Sequence, residues 1–167
     1  MKNAYTVRTA IRRIRKYKPT TPEEFARIGV PLSRHVEAGA FREVMKARDL
    51  PLVLKFPLWN GSVDGYRYGK CHSTTEVKRI KRLNKFPFMR KYLPKIYYHD
   101  RKSGMLVMRW YDNFEDSEDA YFSLGKMAAE MIYRLTGIKL IDIHDDNTRT
   151  PNPHCEHSRT VLIDIGY

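Results

Sequence analysis

Cysteine is scarce: Cys71 and Cys155 are the two in 167 residues, too few for the disulfide framework of a small crosslinked secreted scaffold. No stretch approaches the ~20 consecutive apolar residues that span a bilayer. The opening MKNAYTVRTAIRRIRK lacks the uninterrupted apolar core of a secretion signal. Gly/Ser-rich, Pro-rich and repeated tracts are also lacking, which argues against disorder throughout the chain. A cytosolic protein is the expectation.

Acidic residues are scarce in the first two thirds. Residues 1–111 carry 26 Lys/Arg against 8 Asp/Glu, a net +18, whereas residues 112–167 carry 5 against 11, a net −6. A basic part beside an acidic part suits a cleft in which Lys and Arg meet phosphates while carboxylates hold metal ions. The lesser reading of the basic segments is that they form solvated faces or touch nucleic acid. With 42% hydrophobic and 12% aromatic residues, the chain can bury one sizeable core, as a single domain with room for two lobes.

Ala4, Val7, Ile11 and Ile14 form one stripe of a basic amphipathic helix over residues 4–17. A helix docked by that stripe is preferred to one that lies on a membrane or on RNA. Thr21, Pro22 and Glu24 give a capping-box start to a short helix that ends near Gly29. SRHVEAG, AFREVMKA and LPLVLKF then read as a three-stranded meander. A loop with Asn60-Gly61, Gly65 and Gly69 follows, and Ser73-Thr74-Thr75-Glu76 opens a helix that stops before Pro87. KIYYHD and MLVMRWY flank a turn at Lys102-Ser103-Gly104 as a hairpin. An acidic connector from Asp112 to Glu118 leads to a helix over residues 117–135. LIDIHDDN, a polar turn and the apolar strand TVLIDIG close the chain as a second hairpin.

Several segments carry chemistry. Leu140-Ile141-Asp142-Ile143-His144-Asp145-Asp146-Asn147 resembles the catalytic loop of kinases, where an Asp is followed five residues later by an Asn. Read alone, it is equally a polar turn after a helix. Val161-Leu162-Ile163-Asp164-Ile165-Gly166 resembles the kinase strand ending in Asp-Phe-Gly, with Ile in place of Phe. Val53-Leu54-Lys55-Phe56 resembles the strand bearing the phosphate-binding lysine, and the run from Glu76 to Phe88 resembles the kinase helix whose Glu pairs with that lysine. The local alternatives are a solvent-facing lysine and a capping role for Glu76 with Ser73. Leu106-Val107-Met108-Arg109-Trp110-Tyr111 resembles the strand that enters the interlobe hinge, and Gly39-Ala40-Phe41-Arg42-Glu43-Val44 resembles the end of the Gly-rich phosphate loop.

The resemblance, which covers residues 33–167, is to the protein-kinase-like superfamily, both eukaryotic-type protein kinases and aminoglycoside or choline kinases. It implies an α+β, bilobal, minimal kinase-like fold: a mainly antiparallel first lobe over residues 33–111 and a reduced helical second lobe over 112–167, preceded by a basic extension over 1–32. It implies a kinase with ATP and Mg2+ as cofactors, Asp142 as catalytic base, and Lys55 paired with Glu76. Asn147 and Asp164 become the metal ligands. Gly39, Lys55, Met108, Arg109 and Tyr111 contact the nucleotide, Met108 guarding the adenine pocket while backbone groups of 109–111 pair with adenine. The acceptor is a hydroxyl, with a protein Ser or Thr favoured over a small molecule.

Three departures qualify the resemblance. Leu140-Ile141 replaces the usual His-Arg, and His144 follows Asp142 by two as in small-molecule kinases, but Asp145-Asp146 stands where those have Pro-Gly. Nothing after Tyr167 supplies an activation segment, so the stripe with Met127, Met131 and Leu135 is expected to be covered by the basic first helix, by a partner or by a second copy. His154-Cys155-Glu156-His157 matches no common zinc spacing and reads as a hairpin turn. Two other functions stay open: a catalytically weak kinase-like module that regulates a protein partner, and a basic RNA- or ribosome-binding protein.

Overall fold

The computed structural model describes residues 6–33, 37–38, 42–58, 63–111, 127, 129–140, 148–149 and 161–162. It divides into two compact units, one of Met1–Ser73 with Ile96–Trp110 and one of Thr74–Lys95 with Tyr111–Tyr167.

The first unit is built on an antiparallel sheet. Its strands are β1 (Glu37–Ala38), β2 (Arg42–Lys46), β3 (Leu52–Pro57), β4 (Ile96–His99) and β5 (Leu106–Arg109), in the order β1-β2-β3-β5-β4. The apolar run of β3 becomes a central strand because both its edges are paired, to β2 and to β5. β4 and β5 form the expected hairpin. Its turn is held by Asp100, whose carboxylate accepts from the Lys102 and Ser103 amides at 3.2 Å each and from the Ser103 hydroxyl at 2.6 Å. Burial pushes the Asp100 carboxyl up, yet these hydrogen bonds and the Lys18 charge outweigh it and leave its pKa below the ordinary 3.8.

Helix α1 (Val7–Tyr17) starts at Thr6, whose hydroxyl accepts from the Thr9 amide, and ends where Lys18 turns left-handed at φ 46°. Its apolar side, Ala10, Ile11 and Ile14, packs in one cluster with Phe25, Leu52, Leu54, Met105 and Val107. Arg13 and Arg15 secure the docking by donating to the Ile28 and Tyr97 carbonyls at 3.0 and 2.8 Å. Helix α2 (Pro22–Arg27) carries the expected capping box between Thr21 and Glu24. Phe25 from this helix meets Phe56 edge-on, with ring centroids 5.7 Å apart.

Helix α3 (Val63–Leu83) departs from expectation. It begins ten residues before Ser73, so Gly65 and Gly69 are helical and Ser73 is an interior residue, not a cap. The early part is held by tertiary contacts: the Tyr66 hydroxyl donates to the Ser103 carbonyl at 3.2 Å, and the Lys70 backbone lies against Gly104. The helix ends at Leu83, and a 3-10 turn, Pro87–Met89, follows.

In the second unit, Val77, Ile80, Leu83, Met89 and Leu93 are buried. Residues 129–136 are helical, and here Ile132 is buried while Met127, Met131 and Leu135 are 63, 45 and 55% exposed. The apolar stripe of α1 is spent on the sheet. Strands β6 (Thr148–Arg149) and β7 (Val161–Leu162) pair antiparallel, Thr148 opposite Leu162 and Arg149 opposite Val161. Among the described residues, no helix is long and apolar enough to cross a membrane.

Candidate functional site

Residues opposite one another in an antiparallel ladder share a face of the sheet. Lys55 opposes Val44 on β2 and Leu106 on β5, while Val53 opposes Lys46 and Met108. The alternate residues Leu52 and Leu54 join the cluster beneath α1. One face is thus closed by helices, and the other sets Lys55 among Val44, Val53, Leu106 and Met108.

Lys55 is only 4% exposed, whereas lysines are almost never this buried unless paired. The solvent-facing alternative is thereby removed. Glu76 on α3 is 0% exposed, and neither residue is without a partner. The capping alternative for Glu76 fails as well, since Ser73 sits inside α3. The Ser73 hydroxyl is itself buried and makes no hydrogen bond among the described residues, leaving an unsatisfied donor one helical turn before Glu76.

Met108 is 1% exposed and Tyr111 4%. The Tyr111 hydroxyl accepts from the Lys95 amide at 3.0 Å, which explains why a tyrosine can be buried there. Arg109 ends β5 opposite Leu52. Of the backbone groups expected to meet adenine, the Trp110 amide already donates to the Pro51 carbonyl at 2.9 Å. The Trp110 ring is held by the Lys46 ammonium, 4.5 Å from its centroid.

Arg42 was not singled out from the sequence, yet it is 6% exposed and stands on the Lys55 face, opposite Pro57. The available signal was its even spacing from Val44 and Lys46 along β2. The remaining candidates, Gly39, Asp142, Asn147 and Asp164, lie outside the described residues, as does the His154–His157 segment. No cluster of His, Cys, Asp and Glu able to hold a metal occurs among the described residues.

No protein-family model matches the sequence, and no curated protein matches it. Solved structures do. A Rio2 kinase from Chaetomium thermophilum, solved as an ADP/Mg2+-phosphoaspartate complex, is 19% identical with a TM-score of 0.57, over 84% of this chain and 49% of that one. The apo form of PpkA-294 gives 0.49 at 15% identity, over 81% and 57%. The streptomycin-ATP complex of APH(2")-IIa gives 0.41 at 15%, over 66% and 36%. The chain spans about half the length of the Rio2 structure it matches. With its five-stranded antiparallel sheet and the similarity to Rio2, the chain has the α+β fold of the protein-kinase-like superfamily.

Proposed function

We propose that this chain binds ATP with Mg2+ and transfers the γ-phosphate to a hydroxyl, with a protein Ser or Thr as acceptor. The observation that carries this is Lys55, a cation only 4% exposed on the face of the sheet opposite α1, beside Val44, Val53, Leu106 and Met108. Apolar side chains around one fixed positive charge suit a planar base joined to phosphates. The Rio2 structure holds ADP and Mg2+, so the fold type accommodates this ligand.

The metal ligands are assigned from the order and spacing of Asn147 and Asp164 along the chain, which resemble those of the kinase metal-binding residues. Asn147 and Asp164 would hold Mg2+, which would supply neutralisation of phosphate charge, and Lys55 would hold phosphate oxygens. Asp142 accepts the acceptor's proton as the hydroxyl oxygen bonds to the γ-phosphorus. The bond from that phosphorus to the bridging oxygen breaks, and ADP leaves with its electron pair.

A second reading, a catalytically silent module that regulates a protein partner, is favoured by the exposure of Met127, Met131 and Leu135. Melting the protein with ATP, with and without Mg2+, tests the site, and product analysis separates the two readings. Saturation at about 100 times the dissociation constant stabilises by about 2.7 kcal/mol. That shift should need the metal and vanish in Asp164→Ala. No metal-dependent shift at millimolar ATP would refute the nucleotide site; a shift without phosphorylated product would favour the silent module.

A further inference from the structure

Helix α1 carries five basic residues, Arg8, Arg12, Arg13, Arg15 and Lys16, and no acidic one. Its apolar side is consumed by the sheet, so the outer ridge of Arg8, Arg12, Arg15 and Lys16 is exposed. The ridge continues onto the turn after β4. Arg15 is fixed to the Tyr97 carbonyl at 2.8 Å, Lys18 lies close enough to Asp100 to act on its charge, and Arg101 and Lys102 in the same turn are exposed. The acidic groups nearby are already engaged. Asp100 holds the turn amides, and Glu24 accepts from the Thr20 and Thr21 amides in the α2 cap; Glu23 and Arg27 stand on the same short helix.

Within this strip stands an aromatic ring. Tyr17 is 57% exposed, lies between Lys16 and Lys18, and has the Lys16 ammonium 5.0 Å from its ring centroid. Cations that track a phosphate chain beside an exposed ring are the two components of single-strand recognition, because any unpaired base can stack on such a surface. A duplex uses the cations but offers no free base to the ring. An anionic bilayer also attracts cations, but interfacial helices anchor through an apolar face, and that of α1 is buried.

We propose that the α1 ridge and the β4–β5 turn form a binding surface for single-stranded nucleic acid, with Arg12, Lys16, Arg101 and Lys102 on phosphates and Tyr17 stacked on a base. The surface is separate from Lys55, on the side of the sheet that α1 covers, so it stands or falls independently of the proposed kinase activity.

The test is fluorescence anisotropy of the full chain with a labelled single-stranded RNA of mixed sequence, about 20 nucleotides long, from about 50 to 200 mM salt. Wild type should bind more weakly as salt rises. Replacing Arg12, Lys16, Arg101 and Lys102 together by Gln should cut the log–log salt slope by about three, at about 0.7 per phosphate contact. Tyr17→Ala should weaken binding about tenfold and leave the slope unchanged. A control that replaces Arg67, Lys81, Arg82 and Lys85 by Gln should retain most of the affinity, and circular dichroism should confirm folding of every variant. Equal losses in the control, an unaltered slope in the ridge variant, or no effect of Tyr17→Ala would overturn the proposal. So would equal affinity for the duplex of the same sequence, or binding to phosphatidylserine vesicles without binding to the RNA.

Discussion

Gly104 and Lys70 approach so closely that a Cβ on Gly104 would stand 2.9 Å from the Lys70 Cα and 2.8 Å from the Pro57 ring, and Gly104 also has φ +78°. Left-handed backbone costs a non-glycine residue about 1–2 kcal/mol, and a forced overlap in a packed region adds about 1–3. Gly104→Ala should therefore lower stability by about 2–5 kcal/mol. Urea denaturation should show a lower midpoint at constant slope. A loss below about 0.5 kcal/mol, the range of an ordinary surface change, would contradict the close packing of α3 on this turn.

The two sides of α1 should respond in opposite ways. Ile14 is fully buried, and its replacement by Ala should cost about 2–5 kcal/mol. Arg12→Ala, on the exposed ridge, should stay within about 0.5 kcal/mol. Thermal melts of the two variants measure the difference, and equal effects would mean that α1 is not part of the core.

Lys55→Met and Asp142→Asn separate binding from chemistry. Lys55→Met keeps an apolar stem of similar length and removes the charge, so the Mg-ATP melting shift should be largely lost. Asp142→Asn should keep that shift and lose turnover, because Asp142 is assigned to the acceptor and not to the phosphates. Loss of nucleotide binding and of folding together in Asp142→Asn would disprove the assignment of this loop.

Acid should remove a defined contribution. Asp100 has its folded-state pKa depressed below 3.8, its hydrogen bonds and Lys18 outweighing burial. Glu24 lies below 4.5, held down first by the Thr20 amide and then by the Thr20 hydroxyl. A depressed carboxylate stabilises the fold above its unfolded value, and the contribution is lost as pH falls through the folded value. Asp100→Asn should flatten the decline of stability below about pH 4 and alter little at neutral pH beyond a constant offset. An unchanged acid limb, followed by urea titrations at stepped pH, would argue against the Asp100 turn.

Elements encoded by neighbouring residues were legible in the chain. The α2 cap needs only Thr21, Pro22 and Glu24, and the β4–β5 turn needs only Asp100 to Gly104; each forms through contacts a few residues apart. The start of α3 was not legible. Gly65 and Gly69 cost a helix about 1 kcal/mol each relative to alanine, and Ser73 with Glu76 imitates a capping box. What extends the helix back to Val63 is docking at Ser103 and Gly104, more than thirty residues away in the chain.

The candidate site divides the same way. The order and spacing of Lys55, Glu76, Asp142, Asn147 and Asp164 are properties of the sequence alone, and they sufficed to indicate the fold and the chemistry to look for. Whether Lys55 faces water or the interior was undecided in the sequence, because a strand fixes alternation but not which side is covered. Tertiary structure decided it: Ala10, Ile11 and Ile14 of α1 pack against Leu52 and Leu54 on one face, and Lys55 on the other face is buried as well, 4% exposed. It left Val53 and Lys55 on the opposite face, since a period of two allows a strand no other arrangement.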